Sequence, residues 1–195
     1  IYDRLVFDGK KPIPMAVIAP DVFVVTYNGL SKSHNVCGYR SGWMTLCGPE
    51  KGFESFRLNV EKLMSLRLCA GAIPQLIIPA ALADSESTNT EISPGGTLYE
   101  RRRAAWEALE SVDSLSCLKN DGALYMFPRI DSRFKVKDDH DFAARLLREK
   151  HILLVPGSGF NYNSPNHFRI VLLPSPEQLS GAVKAIDELL KEDFV

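Results

Sequence analysis

Apolar positions along this chain change period several times, and the changes mark out its elements. Val22-Phe23-Val24-Val25-Thr26-Tyr27 is a continuous, β-branched apolar run, which predicts a buried strand. Asn28-Gly29, a turn pair, ends it. Ser41-Gly42-Trp43-Met44-Thr45-Leu46 predicts a second strand. Ahead of both, Asp8-Gly9-Lys10-Lys11 reads as a turn, and Pro12 and Pro14 keep the next stretch out of regular structure. Residues 50–68 carry Phe53, Phe56, Val60, Leu63 and Met64 at mostly helical spacing, after a turn at Gly48-Pro49. A further helical pattern opens near Pro74, where a first-turn proline is tolerated, and Pro79 inside it predicts a kink or an early break. Residues 84–96 are polar and rich in Ser, Thr and Gly, and predict a loop.

Thr97 begins a long helix with Arg101, Arg102 and Arg103 in its first turns. Three adjacent arginines read as a solvated face rather than an anion site. From about residue 112 the pattern shortens. Ser116-Cys117-Leu118 predicts one strand, and residues 122–128 predict another, closed by Pro128. Phe142, Leu146 and Leu147 line a helix with basic residues toward its C-terminal end. Residues 151–155 predict a strand, 156–160 a loop, and 167–172 a strand. A closing amphipathic helix runs from Pro176 with Leu179, Val183, Ile186, Leu189 and Leu190 on one side. Strands and helices alternating at this spacing give an α/β domain.

Composition narrows the function more than the fold. The chain has 195 residues, 45% apolar and 24% charged, with a net charge of −1. A near-neutral surface does not suit nucleic acid as the main partner. No apolar stretch approaches the roughly 20 residues that a spanning helix needs. The N-terminus has no basic region followed by an apolar one, so no signal peptide is read. Cys37, Cys47, Cys69 and Cys117 form no Cys-x-x-Cys pair, and the four histidines have no metal-ligand spacing. Reduced, mostly buried thiols in a cytoplasmic protein, with no membrane association and no metal site, are the expectation.

The candidate chemistry begins at the first strand's end. Lys32 follows the turn pair at once, and Arg40 lies eight residues on, just before the second strand. Strand ends hold the amine and the guanidinium near each other. Desolvation at such an end disfavours a charged amine, as imine chemistry requires. An arginine fork suits a phosphate. The alternative is a pair of surface charges in a loop. Arg169 raises a similar choice. It lies in an otherwise apolar strand, where an unpaired cation is costly. It either pairs with a structural carboxylate or captures a carboxylate from a substrate.

The string from Asn28 through Leu30-Ser31-Lys32 to Gly38-Tyr39-Arg40-Ser41-Gly42-Trp43 resembles the lysine segment of pyridoxal-phosphate-dependent, fold-type I aminotransferases of classes I and II. The resemblance implies that Lys32 bonds covalently to pyridoxal 5′-phosphate and moves the substrate proton. It implies that Arg40 binds the cofactor phosphate and that the Tyr2 hydroxyl bonds the cofactor's phenolate oxygen. Asn166-His167-Phe168-Arg169-Ile170-Val171 resembles the family's C-terminal motif, whose arginine holds the α-carboxylate. His34, next to this segment, lines the site or sits on an exposed turn.

The resemblance covers the whole chain. It implies the C-terminal part of the transferase fold: residues 1–96 as the end of the large-domain mixed sheet, 97–112 as a linking helix and 113–195 as an α/β small domain. The family's aspartate would fall ahead of Ile1, so a shortened chain with weak or no turnover is expected. Two departures from the family pattern stand out: Gly29 replaces a phosphate-binding serine of some members, and no glycine follows Ala81-Leu82-Ala83. Around the lysine, at residues 64–70 and at residues 122–128 the chain most resembles prokaryotic alanine aminotransferases. That implies amino-group exchange between alanine or glutamate and a 2-oxo acid, in a homodimer. The same residues would serve a carbon–sulfur lyase, or a cofactor-sensing domain of a transcription regulator.

Overall fold

The structure, a computed structural model, describes residues 1–192. Its packing divides it into a first unit, Ile1–Thr90, and a second that begins at Glu91.

In the first unit, β1 (Val24–Gly29) and β2 (Gly42–Cys47) pair antiparallel, with Val24 opposite Cys47 and Gly29 opposite Gly42. The turn pair Asn28-Gly29 therefore belongs to the ladder and does not end it. A one-turn helix, α1 (Met15–Ile18), forms after Pro14 in the stretch expected to be irregular. The chain leaves β1 directly into another, α2 (Leu30–Ser33), so Lys32 sits on a helix and not on a turn. A 3-10 turn, Cys37–Tyr39, follows. Beyond β2 come α3 (Glu54–Leu66), α4 (Ala72–Ala83) and α5 (Glu86–Ile92). Phe23 stacks on Phe53 at 4.2 Å and meets Phe56 edge-on, which ties the start of β1 to the start of α3.

Three expectations change here. Helix α4 runs through Pro79, so of the expected kink or early break the break does not occur. The polar stretch after Asp84 is helical, because the Asp84 carboxylate accepts from the Ser87 amide (3.1 Å) and hydroxyl (2.5 Å) and caps the first turn of α5. Asp84's own carboxyl is held below the usual carboxylate range, chiefly by that hydroxyl. The cysteines are not mostly buried: Cys37, Cys47 and Cys69 are exposed and Cys117 is half-buried. Cys47 ends a two-stranded ribbon and Cys37 lies on the short 3-10 turn, and neither element offers a second packed layer to cover a thiol.

The second unit packs helices on short antiparallel strands. Helix α6 (Thr97–Glu110) lies against the last helix, α8 (Pro176–Glu192), and Ala105 and Leu109 on the one and Val183 and Ile186 on the other are all buried. Strands β3 (Leu115–Ser116) and β5 (Arg129–Ile130) pair, and β4 (Tyr125–Met126), β7 (Phe168–Val171) and β6 (Val155–Pro156) form a sheet in the order β4-β7-β6. Helix α7 (Asp139–Lys150) begins at the Asp138 cap, and buried Asp139 accepts both the Ser158 amide and hydroxyl at 2.8 Å. Those bonds fix the 3-10 turn Gly157–Phe160, where a loop was expected. Strand β4 ends at Met126, just before Pro128, as expected. Pro128 lacks an N–H, but its carbonyl accepts from the Phe168 amide (3.2 Å), and an isolated bridge sets Arg129 opposite His167.

The triple arginine divides three ways. Arg103 is exposed and pairs with Glu100 and Glu107. Arg101 is half-buried. Arg102 is 2% exposed, and its Nε donates to the Asn120 carbonyl at 2.9 Å. A solvated face therefore describes Arg103 alone. Among the described residues no helix is long and apolar enough to cross a membrane.

Arg102→Met strips the carbonyl of half-buried Asn120 of its donor and leaves space around the new side chain. We expect it to cost about 3 kcal/mol in urea denaturation, whereas Arg103→Met moves the midpoint far less.

Candidate functional site

In the first unit the connection between β1 and β2 is held at several backbone points. The Leu30 amide donates to the Ser41 carbonyl at 3.2 Å, extending the ladder one step past β1. Leu30 is fully buried and anchors the first turn of α2. At the other end of α2, the Ser33 carbonyl accepts from the Thr88 hydroxyl at 2.9 Å, and Thr88 is itself buried. The Ser41 hydroxyl donates to the Pro74 carbonyl at 2.9 Å. Lys32 is thus carried on a short helix fixed at both ends. Its side chain is half-buried, and among the described residues its amine has no hydrogen-bonding or ion-pair partner.

The 3-10 turn packs against α2 and ends on Arg40, whose backbone is left-handed at φ 57. The Arg40 Nη1 donates to the Cys37 carbonyl at 2.8 Å, and among the described residues no carboxylate pairs with the guanidinium. The structure therefore brings the elements bearing Lys32 and Arg40 together. An amine and a guanidinium, both without anionic partners, are the donor set that a phosphorylated aldehyde requires.

The chain start lies beside the same strand end. Asn28 Nδ2 donates to Asp3 Oδ2 at 3.0 Å, and Ile1 reaches Gly29. Tyr2, between them, is half-buried. Next in line, Arg4 donates to the Leu82 carbonyl (2.9 Å) and the Asp84 carbonyl (3.0 Å) at the end of α4. That guanidinium satisfies carbonyls that a terminal glycine would help to satisfy elsewhere, which accounts for the missing one. The other departure also has a cause. A Cβ on Gly29 would lie 2.7 Å from the Ser41 carbonyl oxygen, so a serine does not fit. His34 is half-buried rather than exposed. Its Nδ1 meets the Ser33 hydroxyl at 2.8 Å, while its Nε2 is buried without a partner among the described residues.

Arg169 belongs to the second unit, so Lys32, Tyr2 and Arg40 form one group and Arg169 another. Strand periodicity explains its surroundings. Leu124, Met126, Ile130, Phe168 and Leu172, all even-numbered, are buried on one face. The odd-numbered Tyr125, Phe127, Arg129, His167 and Arg169 share the other face and line a cavity of about 840 Å³. The Arg169 guanidinium stands 4.6 Å from the Tyr125 ring centroid and 4.8 Å from that of Phe160. Among the described residues no carboxylate pairs with it. Two aromatic faces take the part of a structural counter-ion and leave its N–H fork available. His167 stacks on Phe127 at 5.2 Å, and its carbonyl accepts from the Gly157 amide at 2.8 Å. Burial first, and then the Arg129 charge, push the His167 imidazole below its ordinary value of 6.5.

Sequence reasoning missed Thr88, Arg4 and Phe160 as supports. Only the Asp84–Ser87 spacing ahead of Thr88 carried a local signal for the helix that presents it.

Residues 1–186 match the family model described as aminotransferase class I and II. The chain is 43% identical over 180 residues to the glutamate-pyruvate aminotransferase AlaA of Escherichia coli, covering 92% of this chain and 44% of that protein. It is 39% identical over 191 residues to an alanine aminotransferase of Mycobacterium tuberculosis, covering 97% and 44%. Among solved structures, an aminotransferase from Escherichia coli superposes with a TM-score of 0.93 at 41% identity, over 98% of this chain and 48% of that one. An alanine aminotransferase from Pyrococcus furiosus does so at 0.89 and 32%, again over 98% and 48%. The chain spans about half the length of these relatives.

Two measurements check the geometry. Gly29→Ser is expected to lower stability by about 1–3 kcal/mol in urea, because the new Cβ crowds a backbone carbonyl. His167, followed by NMR, is expected to titrate below 6.5. Arg129→Gln is expected to raise that midpoint only partway, since burial is the larger cause. A depressed folded-state value means the folded protein binds fewer protons than the unfolded chain. The His167 contribution to stability is therefore intact above about pH 6.5 and is lost as the pH falls through the folded-state value.

Proposed function

The chain belongs to the class I and II aminotransferases, and from that premise we propose that its protein transfers amino groups between an amino acid and a 2-oxo acid, with alanine and glutamate as the donors. The observation that carries the reading is Lys32: a half-buried amine with no partner among the described residues, on a helix pinned at both ends and packed against the turn that bears Arg40. The names of the relatives, glutamate-pyruvate and alanine aminotransferase, support the substrate pair.

The family's cofactor is pyridoxal 5′-phosphate, which when bound acts as an electron sink for the pair left on the substrate Cα. Lys32 Nζ would hold the cofactor through its aldehyde carbon, and when free the same Nζ would take the proton from the substrate Cα and deliver it to that cofactor carbon, acting as base and then as acid. Arg40 would direct its remaining N–H groups at the phosphate. Tyr2 would set the ring oxygen through its hydroxyl. Arg169 orients the substrate through its carboxylate, its fork steadied by Tyr125 and Phe160. In this reading the first unit is the end of a cofactor-binding domain, residues 97–112 link it to a small domain, and the whole protein works as a homodimer in the cytoplasm.

Incubation with pyridoxal 5′-phosphate, reduction with borohydride and peptide mass spectrometry tests the assignment. Modification concentrated at Lys32, and lost in Lys32→Arg, is the expected result. Modification scattered over several surface lysines with Lys32 unmarked would overturn it.

A further inference from the structure

Helix α5 buries one side chain, and that side chain carries a hydroxyl. The helix is polar along its length, and Thr88 alone among its residues is buried, at 3% exposure. Threonine and valine have nearly the same shape, so packing by itself does not select the hydroxyl. Burying a hydroxyl is costly unless it is bonded. The bond it makes is to the Ser33 carbonyl at 2.9 Å, 55 residues away in sequence and one residue past Lys32.

The recipient is a helix that cannot orient itself. Helix α2 is one turn long, closed by the His34 amide on the Leu30 carbonyl at 3.2 Å. So short a helix has no stability of its own. Ser33 stands at its C-terminal end, where carbonyls find no partner inside the helix. Two bonds from elsewhere fix α2: the Leu30 amide on the Ser41 carbonyl at its start, and the Thr88 hydroxyl at its end. Lys32 lies between them. With the first bond alone, α2 could pivot about the strand end, and the second removes the pivot.

Thr88 is itself held in place. Asp84 caps the first turn of α5 through the Ser87 amide and hydroxyl, and Arg4 donates to the Asp84 and Leu82 carbonyls. The brace therefore runs from the chain start, through the start of α5, to the residue beside Lys32. It stops short of the amine, which has no hydrogen-bonding partner among the described residues. The amine is aimed without being occupied.

We propose that Thr88 is a positioning residue for Lys32: its hydroxyl holds the end of α2 so that the Lys32 amine meets an aldehyde carbon in one orientation. This rests on the aminotransferase reading and deepens it, because it names the residue that sets this lysine apart from those on the surface.

The test uses two aldehydes, pyridoxal 5′-phosphate and pyridoxal, which lacks the phosphate. With either, the Nζ lone pair bonds to the aldehyde carbon, the carbonyl oxygen leaves as water, and borohydride then delivers hydride to the C=N bond. The adduct is titrated by absorbance and, after reduction, located by peptide mass spectrometry. One net hydrogen bond corresponds to about twofold to tenfold in an equilibrium constant. Thr88→Val is expected to weaken the Lys32 adduct by that factor with both aldehydes, and Thr88→Ser, which keeps the hydroxyl, is expected to restore it. Urea unfolding checks that each variant folds, and Thr88→Ala stands in for Thr88→Val if the latter does not. Arg102→Met, which lowers stability from the second unit, is expected to leave the labelling unchanged. An unaltered adduct in Thr88→Val, an equal loss in Thr88→Ser or in Arg102→Met, or a loss confined to the phosphorylated aldehyde overturns the inference and leaves the aminotransferase reading standing. No Lys32 adduct in the unsubstituted chain with either aldehyde removes the reading and the inference together.

Discussion

The hydrogen bond from the Leu30 amide to the Ser41 carbonyl is a single turn of backbone geometry on which the first unit's chemistry hangs. It prolongs the β1–β2 ladder to the residue where the chain becomes helical. With Leu30 buried beneath it, the next turn has no freedom to swing, and Lys32 is carried with it. The close approach also sets a steric rule one residue earlier, where Gly29 faces the same carbonyl. Thr88 and Pro74 then secure the far end of α2 and the start of β2. The Lys32 amine, to which the proposed function assigns the reaction, is thereby positioned by backbone bonds, and among the described residues it is left uncommitted. That is the arrangement a covalent site needs, because any strong partner for the amine would compete with the carbon it is to attack.

The second unit solves a different problem with the simplest device in the strand repertoire. Alternation sends Leu124, Met126, Phe168 and Leu172 into the core and sends arginines and aromatic rings to the opposite face. The cost of gathering cations there is eased by the rings: Tyr125 and Phe160 face Arg169 without neutralising it. The Asp139–Ser158 bonds matter for the same reason, since they fix the 3-10 turn that carries Phe160. Register decides which residues share a face, and a slip of one position would bury both arginines.

Much of this was legible in the sequence. The β-branched run before Lys32 predicted its strand, the stretch at residues 122–128 predicted another, and the string around Lys32 pointed to the family. What was not legible depended on partners far along the chain. Asn28-Gly29 reads as a turn because its local preference is for one, but pairing with Gly42 overrides that preference. Arg4 reaches helix-end carbonyls about eighty residues on, and nothing near it in sequence announces this. Arg102 looks like its two neighbours, and its bond to the Asn120 carbonyl, eighteen residues on, is not announced locally. Helix α5 is an intermediate case. Its capping pair is local, but the polar composition around it outweighed that signal.

Arg40 carries a consequence of its own. Its φ of 57 is a conformation that asparagine tolerates, as Asn35 in the same connection does at φ 55, but that costs most side chains about 1–2 kcal/mol. A glycine at residue 40 would relax the backbone and delete the guanidinium in one stroke. Robustness and the phosphate capture proposed for Arg40 are therefore opposed at a single residue, and any attempt to toughen this protein by relieving left-handed strain would have to leave that strain where it is.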